Sequence, residues 1–161
     1  MPYPVSLLDF LCTGEFPPLR RGMTSDVVIE TLGEPDHRCY CDGPNGEPTT
    51  WTYEKLGVYL NPNDLCVSHY GMVFFDSSPK RPVLPWTGKL FEVDPWIITA
   101  ETSFSDLKSA FTDKQLTFRE GIPEPPTDRY VELPAGVTLW FAPRVDGELR
   151  LNFLFSYGQV A

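Results

Sequence analysis

A chain of 161 residues with 13 Lys and Arg against 22 Asp and Glu has a formal charge of −9, which repels phosphate backbones and anionic lipid and argues against nucleic acid or membrane as partner. Its 42% hydrophobic and 14% aromatic content supplies a real core and excludes wholesale disorder despite 17 prolines. The length suits one compact domain, or two small lobes sharing a core.

The first residues, Met1 to Cys12, have no basic leader, and Asp9 interrupts their apolar run, so they do not read as a secretory signal. No stretch approaches the roughly 18 consecutive apolar residues of a membrane span. The expectation is a cytoplasmic protein in which Cys12, Cys39, Cys41 and Cys66 are reduced thiols.

In chain order, residues 4–12 read as a short helix with Val5, Leu8 and Cys12 on one side, closed by Gly14 and the Pro17-Pro18 pair. Thr24 caps a second helix, with Asp26 in its first turn, Val28 and Leu32 as its buried stripe, and Gly33 and Pro35 as its stop. Strands follow at 37–41, 49–53, 57–60 and 65–75, with turn chemistry at 42–47 and 61–64, which makes a helix followed by an antiparallel meander.

Residues 77–95 carry Pro79, Pro82, Pro85 and Pro95 and read as a connector packed along the surface by Trp86, Leu90, Phe91 and Trp96, with a candidate strand at 89–93. The second half repeats the order. Ser103 or Thr102 caps a helix to about residue 112, with Phe104, Leu107 and Phe111 facing inward. Strand candidates then lie at 115–119, 128–133, 136–141 and 148–157, the Pro123-Glu124-Pro125-Pro126 loop separating the first two.

One ungapped offset of 79 relates the halves: Val28 to Leu107, Leu32 to Phe111, Trp51 to Tyr130, Gly57-Val58 to Gly136-Val137, and Leu60 to Leu139. The expected organisation is an N-terminal helix and first unit over 1–76, a connector over 77–96 and a second unit over 97–161.

Gly22-Met23-Thr24, the valine-centred helix, Leu32-Gly33-Glu34-Pro35, Trp51-Thr52-Tyr53 and Gly57-Val58-Tyr59-Leu60 together resemble the repeat of the beta-lactamase-inhibitor-protein-like superfamily, which also includes the small lipoprotein of the outer-membrane assembly machinery. The resemblance is close over residues 19–75 and carried by the offset alone over 98–157. It implies an α+β fold of two tandem units, each a helix on about four antiparallel strands, with the helices on one sheet face.

The residues that carry chemistry are few. His37, Cys39 and Cys41, with Cys66 and His69 on a neighbouring strand, can be drawn as a zinc site, but Cys-x-Cys on a strand lacks the tight turn that structural zinc sites use. Two histidines and no Gly-x-Ser-x-Gly elbow give no nucleophilic set, and the pairs Glu30/Glu34 and Glu120/Glu124 read as solvated charge. No enzyme activity and no cofactor are expected.

The aromatic residues suggest binding. Trp51 and Tyr53 share a strand face, while Tyr59 points opposite to Val58 and Leu60. With Tyr130 and Trp140 they are the candidate protein-binding residues, because Tyr and Trp dominate interface hot spots; the competing reading is that they fill the core. The function expected is non-enzymatic binding of another protein, an immunity or inhibitor role toward a basic toxin or enzyme being the concrete form. A structural or assembly module and a Cys/His metal-binding protein are the alternatives.

Overall fold

The computed structural model describes residues 1–39, 48–73, 86–99, 101–123 and 127–157. The expected hairpin turn at 42–47, residues 77–85 of the expected connector, and most of the 123–126 loop lie outside the described residues, as does Cys41.

The chain opens as strand β1 (Tyr3–Ser6) and becomes helix α1 (Leu7–Thr13) only when the Ser6 side chain accepts the Asp9 amide. The helix expected over 4–12 is corrected accordingly. Residues 3–6 are extended because β1 lies parallel to β7 (Phe91–Asp94), which pairs antiparallel with β6 (Trp86–Thr87) to complete a three-stranded sheet. The strand expected at 89–93 is thus β7, displaced by the turn that precedes it.

Helices α2 (Ser25–Leu32) and α3 (Phe104–Asp113) start alike. Thr24 accepts the Val27 amide and Ser103 the Asp106 amide, each satisfying one of the free N–H groups of a first turn. Val28 and Leu32 are buried on α2, as Leu107 and Phe111 are on α3. Gly33, at φ 84°, provides the backbone that an L side chain resists and ends α2.

The remaining strands are β2 (His37–Cys39), β3 (Thr50–Tyr53), β4 (Leu56–Leu60), β5 (Val67–Val73), β8 (Arg119–Gly121), β9 (Arg129–Glu132), β10 (Val137–Pro143) and β11 (Leu149–Ser156). They form one eight-stranded antiparallel sheet in the order β2-β3-β4-β5-β11-β10-β9-β8, so the fold is α+β. Each half contributes four consecutive strands, and the last strand of each, β5 and β11, meet at the centre with Met72 opposite Leu154 and Tyr70 opposite Ser156.

The strand expected at 115–119 begins only at Arg119. Gln115 takes φ 56°, and the Leu116 amide donates to the Phe111 carbonyl, so this segment closes α3 and lays Leu116 and Phe118 against the core.

A single buried cluster joins all parts. Trp51, Tyr53, Val58, Leu60 and Met72 from one half face the same interior as Val131, Leu139, Phe141, Leu151 and Leu154 from the other. Each such side chain contributes about 1.5–3 kcal/mol by leaving water. Phe16 links the small sheet to the large one, with its ring 5.3 Å from Phe91 and 6.4 Å from Tyr70. Glu54, in the β3–β4 turn, reinforces that junction by accepting the Lys89 and Leu90 amides beside Gly88, where a Cβ would lie within 1.9 Å of its carboxylate.

Among the described residues no helix is long and apolar enough to cross a membrane. The expectation of four reduced thiols is corrected: Cys12 and Cys66 are free, but Cys39 is disulfide-bonded.

Candidate functional site

The alternation of a strand sends every second side chain away from the core. In β10 that alternation buries Val137, Leu139 and Phe141 and leaves Thr138 and Trp140 half-buried on the opposite face. The same face carries Tyr130 from β9, Phe153 and Phe155 from β11, Tyr59 from β4 and His69 from β5, all half-buried, and Tyr157 just past β11, 49% exposed.

These seven rings form a continuous band across the middle of the sheet. Tyr130 stacks on Trp140 at 5.8 Å, Trp140 on Phe153 at 5.4 Å, and Phe153 meets Phe155 edge-on at 4.8 Å. Phe155 lies 5.5 Å from Tyr157 and 6.3 Å from Tyr59, and His69 closes the run at 4.3 Å from Tyr59 and 5.1 Å from Tyr157. The Trp140 indole N–H donates to the Asp128 carboxylate at 2.7 Å, which fixes one ring of the band.

Glycine makes room for the rings. A Cβ on Gly71 would meet the Phe155 ring at 2.7 Å and the Tyr59 ring at 3.1 Å, and one on Gly121 would lie 1.9 Å from the Tyr130 ring. In each case an aromatic side chain occupies the space its cross-strand neighbour gives up: Phe155 opposite Gly71 and Tyr130 opposite Gly121.

Two β-bulges place the outer pairs. Tyr59 faces His69 while Leu60 faces Val67, so Ser68 is the extra residue; Trp140 faces Phe153 while Phe141 faces Leu151, so Asn152 is the extra residue. Ser68 uses its position fully, its hydroxyl donating to the Tyr59 carbonyl at 2.9 Å and lying 2.9 Å from His69 Nδ1. Thus the rows Thr50–Tyr59–His69 and Tyr130–Trp140–Phe153 occupy matching places on either side of the β5–β11 seam.

Burial tunes the titratable members. Desolvation raises the Tyr59 phenol above its ordinary range, with Tyr157 adding to it, and desolvation lowers the His69 imidazole. His69 therefore sits in the band as a ring that favours neutrality.

No protein-family model, curated protein or solved structure matches the chain.

Of the candidate binding residues, Tyr59, Tyr130 and Trp140 are brought together in this band. Trp51 and Tyr53 are not: they are 4% and 0% exposed on the covered face. Residues directly opposite each other on paired strands share a face, and Trp51 pairs with Val58 and Tyr53 with Leu56, so both aromatics follow those core residues inward. Trp51 donates to the Pro48 carbonyl at 3.2 Å beneath the Arg38 guanidinium. Tyr53 donates to the Gly33 carbonyl at 3.0 Å, tying the end of α2 to the sheet, and burial pushes its phenol up to about 12.

The residues drawn as a metal site do not assemble. Among the described residues no group of three His, Cys, Asp or Glu is placed to hold an ion. The Cys39 sulfur is committed to a disulfide, and Cys66 lies at the bridge to Thr24, its thiol turned to the Asp64 carbonyl at 3.7 Å. His69 belongs to the aromatic band, and His37 lies on edge strand β2.

Sequence reasoning missed Phe153, Phe155 and Tyr157. Their signal was the run Leu151-Asn152-Phe153-Leu154-Phe155, in which large apolar residues fall on both parities of a strand too far from either sheet edge to be covered twice by the same core.

Proposed function

We propose that the chain is a non-enzymatic protein-binding module whose docking surface is the aromatic band, and within that class an immunity or inhibitor protein directed at a basic toxin or enzyme. The observation that carries this reading is the band itself. Seven rings in mutual contact, half-buried, polar-tipped at Tyr59, Tyr130, Tyr157 and Trp140, and pre-positioned by glycines and bulges, form a surface that binds without a large ordering cost. The net charge of −9 favours approach of a basic partner.

The fold reading that accompanies it is two tandem helix-plus-four-strand units with both helices on the covered face. The shared caps Thr24 and Ser103, the buried pairs Val28/Leu107 and Leu32/Phe111, and the matching bulges at Ser68 and Asn152 support it. The offset of 79 relates like-buried residues in the helices and at Val58/Val137 and Leu60/Leu139, and fails at Trp51/Tyr130. The strand partners of Val58 and Leu139 are Trp51 and Val131, so Tyr130 occupies the opposite face from Trp51.

Affinity capture from the native host with the wild-type chain, Tyr59→Ala, Trp140→Ala and the hairpin control Val145→Ala tests the proposal. A partner retained by wild type and control and lost by both band variants is expected. Equal retention by both band variants would overturn the assignment of the surface.

A further inference from the structure

The aromatic band has one member that can change its charge near neutrality, and the sheet geometry determines which of its nitrogens is free. The Ser68 hydroxyl carries one proton and spends it on the Tyr59 carbonyl, which can only accept. Toward His69 Nδ1, 2.9 Å away, the hydroxyl oxygen is therefore the acceptor, and Nδ1 carries the ring proton. Nε2 is left as the acceptor of the neutral ring and meets no partner among the described residues.

The bulge is what creates this arrangement. Without the extra residue Ser68 would alternate regularly with His69, and its hydroxyl would not reach both the carbonyl of one strand and the ring of its own neighbour. At the matching bulge across the seam the corresponding ring is Phe153, which has no proton to exchange. The band thus holds a group that titrates near neutrality at one bulge and none at the matching place across the seam.

We propose that His69 gates docking on this face: a partner is held only while the ring is neutral with its proton on Nδ1. This rests on the docking role proposed for the band. A partner that covers the band removes the remaining water from His69, and an imidazolium trapped there carries an uncompensated charge. The described groups that face the ring are Tyr59 from β4 and Tyr157 from the end of β11, with Ser68 beside it on β5, and none of them is a carboxylate able to offset that charge. Arg21, which reaches the Tyr157 carbonyl at 3.5 Å, is itself paired with Glu15. A basic partner adds like-charge repulsion to the desolvation cost. Docking is therefore linked to loss of one proton, and affinity falls by up to about tenfold for each pH unit below the His69 pKa.

The test has two arms. Ring nitrogen shifts of the full chain at neutral pH report the tautomer directly, with His37 giving the second set of signals. The Nδ1–H form is expected for His69, converting toward Nε2–H in Ser68→Ala; a predominantly Nε2–H ring in the wild type would overturn the proposal. In the second arm, the partner captured by the wild-type chain at pH 7.5 is challenged at pH 5.0 beside His37→Gln, a substitution outside the band, and the His69 ring shifts are followed across that range in the free chain and in the complex. Release from both chains at pH 5.0 is expected, with the His69 titration midpoint lower in the complex than in the free chain. Retention at pH 5.0, or the same midpoint in both states, would overturn gating by His69 while leaving the docking surface intact. No capture at any pH by either chain would overturn docking itself, whatever tautomer the first arm finds.

Discussion

The Ser156 hydroxyl, buried in the last strand of the sheet, donates to the Gly14 carbonyl at 2.9 Å and so ties the N-terminal helix to the far half of the chain. Gly14 has φ 72°, and a Cβ there would lie 2.7 Å from the Ala135 carbonyl oxygen and 3.2 Å from the Ser156 hydroxyl. Gly14→Ala therefore meets backbone strain and a backbone clash together. A loss of about 2–3 kcal/mol is expected from positive-φ strain and crowding of that kind, measured by urea unfolding. A variant as stable as the wild type would show that the N-terminal segment is not seated on that turn.

Gly71→Ala is expected to act on the surface more than on the core. Its new Cβ displaces the Phe155 and Tyr59 rings, so changed ring-current shifts at Phe155, Tyr59 and His69 should accompany a stability loss of about 1–2 kcal/mol. Partner capture should fall even where the folded population stays above nine-tenths. Unaltered aromatic shifts would mean that the glycine is not what seats these rings.

The hydrogen bond between Trp140 and Asp128 makes the band visible to fluorescence. Asp128→Ala leaves the indole N–H without its charged acceptor, with an expected cost of about 1–2 kcal/mol in this half-buried setting. The Trp140 contribution, isolated by comparison with Trp140→Phe, should shift in emission. No emission change would place the indole elsewhere.

Stability should depend on pH at both ends. The His69 pKa lies below its ordinary 6.5 because of burial, so the unfolded chain takes up the proton first. The contribution of His69 is complete above pH 6.5 and is lost as pH falls from there to the depressed folded value, and His69→Gln should remove that acid-side loss. Tyr53 acts on the alkaline side: its folded pKa of about 12 exceeds the ordinary 10.0, so the unfolded chain ionises first and stability declines as pH rises through that interval. Tyr53→Phe should flatten the alkaline decline. Denaturation midpoints measured across both ranges check each sign.

Local chemistry was legible in the sequence wherever one residue type has one backbone use. Thr24 and Ser103 cap their helices, Gly33 ends α2, and Val28, Leu32, Leu107 and Phe111 face inward, all from short-range rules. Facing across strands was not legible, because the face of Trp51 or Tyr130 depends on its pairing register, and a slip of one residue reverses it. The two bulges are such register events, and nothing in Ser68 or Asn152 as residue types announces them. The first strand was missed for a related reason: the spacing of Val5, Leu8 and Cys12 suits a helix over 4–12, and only parallel pairing with the distant β7 makes residues 3–6 extended. The band's centre was missed because the facing of Phe153 and Phe155 is set by the register of β11 on β10 and β5, with a bulge between them and Leu151.

The meeting of β5 and β11 at the middle of the sheet also fixes an order of assembly. During synthesis β5 is complete long before β11 exists, so the first four strands must wait with an unsatisfied edge of backbone amides and carbonyls, the kind of edge that recruits foreign strands. Closure of the seam between Met72 and Leu154 joins segments far apart in the chain, which makes it a slow, high-contact-order event. The aromatic band crosses that seam, so a chain halted before β11 presents neither Phe153 nor Phe155 and lacks the centre of that surface.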